Sequence, residues 1–401
     1  MPRIAIIGAG IAGVCTSLEL AADGHDVSVF ERRGSVAAEA SFANAGTIAP
    51  ALTLPWTKPG FGLGWRGKQW KAARQPAFAE RAEATLRLAV YSHQRLQTLR
   101  RTLQLDYERA EGQLVLLREK ANREAIQAGL DRLSTLGLVV RELDAAHCHA
   151  AEPGLNPEAK LHSGVLLPLA EVGNCRQLAH LLRIEAQKLG AKFRFHTTAR
   201  SIDATGDLVL EYTPPEEGGG ASGPASEAGD TVPQTQGPRA EHFDVVIVCA
   251  ALDAARLLGH RKLPLRMTLS HSVTAPLRQL EAHPDLGPRG GVTDQQLGVS
   301  LSRIGQRVRA TAADVDSAHK ALHDWFPGAT LPGQALSWSG EHVELPDGLP
   351  VIGGTERLWF NFAHPDAGFT LACGAARVLA DRIARREPEL NISSLDLSRF
   401  G

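Results

Sequence analysis

The chain has 401 residues, 43% of them hydrophobic and 22% charged, with a formal net charge of −1. At roughly 150 residues per domain this allows two or three domains with sizeable cores, and the near-neutral balance leaves no basic stripe for nucleic acid. No run approaches the ~20 apolar residues of a membrane span.

The five cysteines (Cys15, Cys148, Cys175, Cys249 and Cys373) include no CxxC pair. Neither a metal site nor a disulfide framework is therefore expected, and a reducing cytoplasm is the natural compartment. The apolar N-terminus does not read as a signal peptide, because glycines interrupt it and no cleavage site follows.

Residues 4–7 form a short continuous apolar run, as expected of a strand buried on both faces. Gly8, Gly10 and Gly13 follow as GxGxxG. The first permits a tight turn, the second lets a pyrophosphate approach the backbone, and the third lets the next helix pack closely on the strand. That helix is expected to run to about Ala22 and end at Gly24, its N-terminal N–H groups facing the pyrophosphate. Val27, Val29 and Phe30 make a second strand, and Glu31 stands at its end, where the fingerprint places a carboxylate for ribose hydroxyls. Glu31 repels a 2′-phosphate, which disfavours NADP and leaves NAD and FAD.

The loop SFANAGTIAP (Ser41 to Pro50) is made of small, uncharged residues, suited to lying flat against a ligand. The next stretch, Pro55 to Lys71, mixes Trp56, Phe61, Trp65 and Trp70 with Lys and Arg. It reads as a lid over a cofactor in preference to a membrane-surface patch. A long helix is expected from about Ala79 to Leu103, then a strand at Glu111 to Leu117, a helix at Lys120 to Leu136 and a strand at Gly137 to Leu143. A helix at Arg176 to Leu189 precedes the strands AKFRFHT and DLVLEYT.

Thr213 to His242 is dense in Gly, Pro, Ser and Glu and cannot bury enough surface to offset its ordering entropy, so a disordered loop is expected. FDVVIVCAAL resumes as a buried strand, and the strands on either side of the insertion are expected to pair as a decorated hairpin. Near the C-terminus, Leu358 to Phe362 reads as a strand and Gly368 opens a helix with an apolar stripe including Leu371, Val378, Leu379 and Ile383.

A nicotinamide half-domain would continue with further βαβ units, and this chain does not. The expected fold is α/β: a Rossmann-type FAD-binding domain interleaved with a discontinuous, antiparallel-sheet α+β substrate domain. Residues 1–50, 145–260 and 345–401 (with 213–242 as the insertion) are assigned to the first, and 51–144 and 261–344 to the second.

With GAGIAG and ER, SFANAG, YSHQRL, EGQLVL, EPGL, GVLLPLAEVGNC, PDGLPVIG and GFTLACGAARVLAD in this order, the chain resembles the D-amino-acid dehydrogenase small-subunit group. These are FAD-dependent amine and amino-acid oxidoreductases, glycine and sarcosine oxidases among them. The resemblance covers nearly the whole length, and it implies that SFANAG runs beside the isoalloxazine ring. It further implies that Gly8, Ala9, Gly10, Ile11, Ala12 and Gly13 hold the pyrophosphate, and that Glu31 and Arg32 lie at the adenosine ribose. Ser41, Asn44, Ala45 and Gly46 would neighbour pyrophosphate and flavin, and Ala199 would also contact the cofactor. Gly368, Phe369, Thr370 and Leu371 would present the last helix's N-terminus to the pyrimidine end of the flavin, where its dipole favours negative charge.

The implied reaction takes a hydride from the α-carbon of an amine to the flavin, giving an imine that water converts to oxo acid and ammonia. Implied partners are an amine or amino-acid substrate and an electron acceptor: a quinone, an electron-transfer chain or O2. No metal is implied. The alternatives are a secondary-amine oxidase of glycine, sarcosine or opine type, and a flavin-carrying subunit that needs a partner. Cytoplasmic placement is expected, with peripheral contact at the inner face of the membrane as a variant.

The substrate side departs from the family pattern. The arginine of GLRPMTPDGLP is replaced by His342 in GEHVELPDGLP, GHGTLG reads AHPDAG and keeps His364, and a tyrosine of the middle segment is replaced by His271. These three histidines are the candidate catalytic residues, His342 foremost. A histidine lacks the guanidinium's two-pronged match to a carboxylate, so either the substrate is a more basic or secondary amine, or Arg303, Arg307 or Arg309 supplies the missing cation.

Overall fold

The computed structural model describes residues 2–57, 59–203, 207–213, 237–259, 263–278, 286–364 and 366–400. Most of the expected insertion, residues 214–236, lies outside the described residues, as does Pro365.

A six-stranded sheet carries the first half of the architecture, in the order Val351–Thr355, Leu358–Phe362, Val245–Val248, Arg3–Ile7, Asp26–Phe30, Lys192–Arg194. All its pairings are parallel except that between Val351–Thr355 and Leu358–Phe362. The opening strand is central, with Ile4 opposite both Val27 and Val245. Its continuous apolar run follows from that position: Ile4 and Ile6 enter one core, Ala5 and Ile7 the other.

On one face lie the helices Ile11–Ala22, Cys175–Lys188 and Gly368–Ile383, backed by the long helix Phe78–Leu103. Three of these helices meet at the buried Glu19. Its carboxylate accepts Arg95 Nε and Nη2 at 2.7 and 2.8 Å and Arg377 Nη1 at 2.7 Å. The last and longest helices also touch through backbone, since a Cβ at Gly374 would fall 2.7 Å from Ser92 Cα.

The other face is covered by a three-stranded sheet, Thr197–Ile202, Asp207–Tyr212 and Arg239–His242. Here the expected hairpin is corrected. Asp207–Tyr212 pairs with Arg239–His242, a polar segment assigned from sequence to the disordered loop, while Val245–Val248 joins the parallel sheet beside the opening strand. An edge strand needs only backbone partners, so its lack of apolar residues did not prevent pairing.

The second large sheet runs Leu336–Glu344, Arg266–Pro276, Arg307–Ala312, Val299–Ile304, Gly291–Asp294, Ala110–Leu117, Ser163–Val172, Thr47–Ile48. Arg141–Asp144 also pairs on Ser163–Val172. The sheet is mixed, not purely antiparallel, because Gly291–Asp294 and Ala110–Leu117 run parallel. Ser163–Val172 and Thr47–Ile48 belong to it by hydrogen bonding, although their residues were grouped with the dinucleotide unit from sequence. Helix Val315–Trp325 seals one face over Val273, Leu301 and Ala310.

Two more expectations change. The helix expected over 120–136 is two helices, Lys120–Ala125 and Gln127–Thr135, meeting at Ile126. The strand expected over 137–143 shrinks to Arg141–Asp144, because Leu138 and Val140 pack against the core without pairing. Among the described residues no helix is long and apolar enough to cross a membrane.

Candidate functional site

One cavity opens at the carboxyl ends of the parallel strands, the place where such sheets bind ligands. Ile7, Phe30, Cys249 and Phe362, each at or just past a strand end, all line it.

The glycine turn forms its floor. Gly8 has φ +98° and donates its N–H to the Phe30 carbonyl at 2.8 Å. A Cβ at Gly13 would lie 2.0 Å from the Gly8 carbonyl oxygen, so only glycine lets the helix sit this close to the strand. Gly8, Gly10, Ile11 and Ala12 line the cavity; Ala9 and Gly13 do not, and build the turn instead. Glu31 shapes it from the neighbouring strand, its two oxygens accepting the N–H groups of Ala9 and Arg33, each at 2.8 Å. Burial raises its carboxyl above the ordinary range, opposed by those two backbone donors. Arg32 lines the cavity but is engaged, with Nε and Nη2 on Glu39 at 2.9 Å and Nη1 on Asp253 at 3.3 Å.

The loop from Ser41 crosses from this floor to the second sheet. Ser41 Oγ accepts the Ile11 N–H at 3.1 Å, and Phe42 lies between the Trp338 ring and the Arg176 guanidinium. Asn44 Oδ1 accepts the Gly46 N–H at 3.1 Å, and Gly46, at φ +70°, approaches so closely that a Cβ there would sit 2.6 Å from the Gly173 carbonyl oxygen. Ser41 and Asn44 line the cavity; Ala45 and Gly46 do not. The small residues are thus explained on the protein side by a crossing at backbone contact.

The last helix closes the far end. Gly368 and Phe369 line the cavity, whereas Thr370 and Leu371 are buried behind them. Ala199 lines it as expected, together with Thr197 and Thr198. Ala250, Asp253 and Ser270 also line it and went unrecognised in the sequence. The strand-end rule was the one signal that could have found Cys249 and Ala250, which directly follow a buried parallel strand.

His342 and His364 are brought together on the cavity wall, joined by Glu341 and Asp366. His342 is half-buried on strand Leu336–Glu344, opposite Thr268. Among the described residues the His364 Nε2 is buried without a hydrogen-bond partner, and burial lowers its pKa to about 4, so the ring is neutral at physiological pH. His271 stands elsewhere. It is opposite Ala312, on the sheet face that carries Val273 into the core under helix Val315–Trp325; it bonds to Ser339 Oγ at 2.7 Å and does not line the cavity. Residues two apart on a strand share a face, which sets His271 against the candidate role expected from its sequence position.

The three arginines divide in the same way. Arg303 donates to the Gly305 carbonyl at 2.8 Å and Arg307 pairs with Glu108 at 2.5 Å. Arg309 is buried and donates through Nη1 to the Asn44 carbonyl of the Ser41 loop at 3.0 Å. In the expected lid, Trp56 is core, with Nε1 on the Ala51 carbonyl at 2.7 Å. Helix Gly64–Ala72 lies beyond it, its Trp65 ring under the Arg266 guanidinium at 5.5 Å, while Phe61 and Leu63 are exposed. Lys58 lies outside the described residues.

The cradle fits a dinucleotide. Glycines approach at backbone distance, a carboxylate ends the second strand, and two helix N-termini face one cavity. Comparison with known proteins agrees. Residues 3–382 match the family model described as FAD dependent oxidoreductase. The chain is 31% identical to a D-amino acid dehydrogenase of Rhodopseudomonas palustris over 441 aligned positions, covering 99% of this chain and 98% of that protein. It is 30% identical to one of Agrobacterium fabrum, covering 99% of each. Among solved structures, glycine oxidase from Geobacillus kaustophilus superposes with a TM-score of 0.75 at 20% identity, covering 100% of this chain and 99% of that one. Iminodiacetate oxidase from Chelativorans does so at 0.67 and 18% identity, covering 98% of each.

Proposed function

Because the chain belongs to the family of FAD-dependent oxidoreductases that it matches from residue 3 to residue 382, we propose that it oxidises the CH–NH bond of D-amino acids or related amines. The observation that carries this reading is the continuity of one cavity from Glu31 and the glycine turn, past Asn44, to His342, His364 and Gly368. Bound FAD would supply the two-electron acceptor. The glycine turn and Glu31 would hold its adenosine end, and the loop from Ser41 with the first turn of the last helix its flavin end.

The chain's own contribution is orientation. His364, neutral and with Nε2 buried without a partner among the described residues, is placed to accept an N–H of the substrate amine and so to orient it. His342 borders the same end and would position the substrate. Helix Gly64–Ala72, with Trp65 against Arg266, would act as a lid. Electrons would leave to a quinone, an electron-transfer chain or O2. Peripheral membrane contact and a partner subunit are compatible with this scheme.

A specific observation favours a secondary or basic amine over a simple amino acid. Among the described residues lining the cavity, Arg32 is the one arginine, and it is tied to Glu39 and Asp253, while Glu341 and Asp366 add negative charge. Anaerobic mixing of the FAD-loaded protein with D-alanine, sarcosine, iminodiacetate and an opine tests both readings by bleaching of the flavin band. Bleaching by D-alanine alone would reject the secondary-amine reading, and bleaching by none of them would reject amine oxidation by the isolated chain.

A further inference from the structure

Arg309 is a cation that nothing in the reaction outlined above uses. It sits mid-strand in Arg307–Ala312 and is only 6% exposed. Its Nε donates to Thr274 Oγ1 on the adjacent strand at 2.9 Å, and its Nη1 donates to the carbonyl oxygen of Asn44 at 3.0 Å. Among the described residues no carboxylate lies within ion-pair distance of it, in contrast to Arg307, which holds Glu108. Its cross-strand neighbour Ser302 has a buried hydroxyl with no hydrogen-bond partner among the described residues.

Burial, reinforced by Arg307, pushes the Arg309 pKa down to about 10, which leaves it charged at neutral pH. Two neutral acceptors offset the desolvation of this charge only in part, so an anion nearby would be stabilised by it. The position says which anion. Asn44 lines the cavity, and its carbonyl is the atom that Arg309 grips, so the guanidinium stands directly behind the loop that would run beside the isoalloxazine.

We propose that Arg309 is a fixed positive charge held behind the Asn44 loop to stabilise the negative charge of reduced flavin. A flavin that has accepted a hydride carries one net negative charge, and a preorganised cation in a low-dielectric wall lowers the energy of that state without reorganising. Arg309 is a positioning residue as well, since its bond to Asn44 fixes the loop. The proposal rests on FAD occupying the cavity, and the two fail separately: a wild-type protein that takes up no FAD removes the cofactor reading before Arg309 is touched.

The test uses FAD-loaded wild-type protein and the variants R309K, R309Q and R309M, titrated with sulfite, which adds to oxidised flavin and leaves an anionic ring, with no substrate present. Both neutral variants are expected to bind sulfite about tenfold or more weakly, equivalent to ~1.4 kcal/mol. Their flavin midpoint potential should fall, and their one-electron-reduced spectrum should move from the red anionic form towards the blue neutral one. R309K should retain most of the wild-type behaviour. If whichever of R309Q and R309M folds binds sulfite as the wild type does at an unchanged potential, Arg309 only braces the loop and the proposal is wrong. Loss of sulfite affinity in R309K as severe as in the neutral variants would overturn it too, because the charge would then not be the cause.

Discussion

The hydroxyl of Thr370 accepts the N–H of Ala49 at 3.1 Å, across 321 positions of sequence. The same oxygen reaches the Thr47 carbonyl at 3.5 Å, so the first turn of the last helix is pinned to the end of the Ser41 loop. Replacing Thr370 by Val leaves the Ala49 N–H buried without an acceptor, a loss of about 1–3 kcal/mol. Urea denaturation should show that loss, and the FAD dissociation constant, measured by fluorescence titration of apoprotein, should rise about tenfold. Thr370→Ser should restore both.

His342 lines the cavity from strand Leu336–Glu344 and forms no hydrogen bond with the glycine turn among the described residues, so its removal should touch turnover and spare cofactor binding. His342→Ala is expected to lower kcat/KM for the best amine by about ten- to a hundredfold, ~1.4–2.7 kcal/mol of transition-state stabilisation. FAD affinity should stay within a factor of about two of the wild-type value. Unchanged steady-state constants would take His342 out of the site.

The His364 ring is neutral when folded because burial holds its pKa at about 4, below the ~6.5 of an unfolded histidine. Between those values the unfolded chain binds the extra proton and the folded chain does not. Stability from this residue is therefore complete above pH ~6.5 and lost as pH falls towards 4, with a slope of at most ~1.4 kcal/mol per pH unit. His364→Asn should flatten that part of the stability curve, as followed by urea midpoints at pH 4.5, 5.5 and 6.5. Equal slopes for variant and wild type would show that the ring is protonated in the folded state.

Ala363 and Asp366 flank this histidine with φ of +54° and +51°, left-handed values that cost a residue with a Cβ about 1 kcal/mol each. Ala363→Gly removes that cost at a position where the chain turns into the last helix. A gain of about 0.5–1 kcal/mol in unfolding free energy is expected, reduced by the extra freedom of glycine in the unfolded chain. A destabilised variant would mean that the buried Ala363 methyl contributes more packing than the conformation costs.

Where the argument from sequence succeeded, the structural signal was local. Arg3–Ile7, Ile11–Ala22 and Asp26–Phe30 are contiguous, and Gly8 and Gly13 have a conformational and a steric reason that can be read from spacing alone. The long helix Phe78–Leu103 and the last helix declared themselves by period. What escaped was set by distant partners. Arg239–His242 is a strand because Asp207–Tyr212 lies beside it, and no apolar pattern marks it. Arg309 and Arg307 are two residues apart and share a sheet face, yet one is paired with Glu108 and the other sealed against Asn44. His271 and His342 were both candidates, His342 foremost, and strand register puts them on opposite faces, a distinction that turns on a single residue of alternation.

The order of strands in the parallel sheet has a consequence for how the protein is made. Leu358–Phe362 lies against Val245–Val248, and the last helix follows it, so the cavity has no far wall until residues near Phe369 have been synthesised. A ribosome-tethered chain lacking that stretch would carry the glycine turn already formed, with nothing to close over a captured nucleotide. Cofactor loading in this sense waits on the docking of Leu358–Phe362 and helix Gly368–Ile383, and not on the folding of the first βαβ unit.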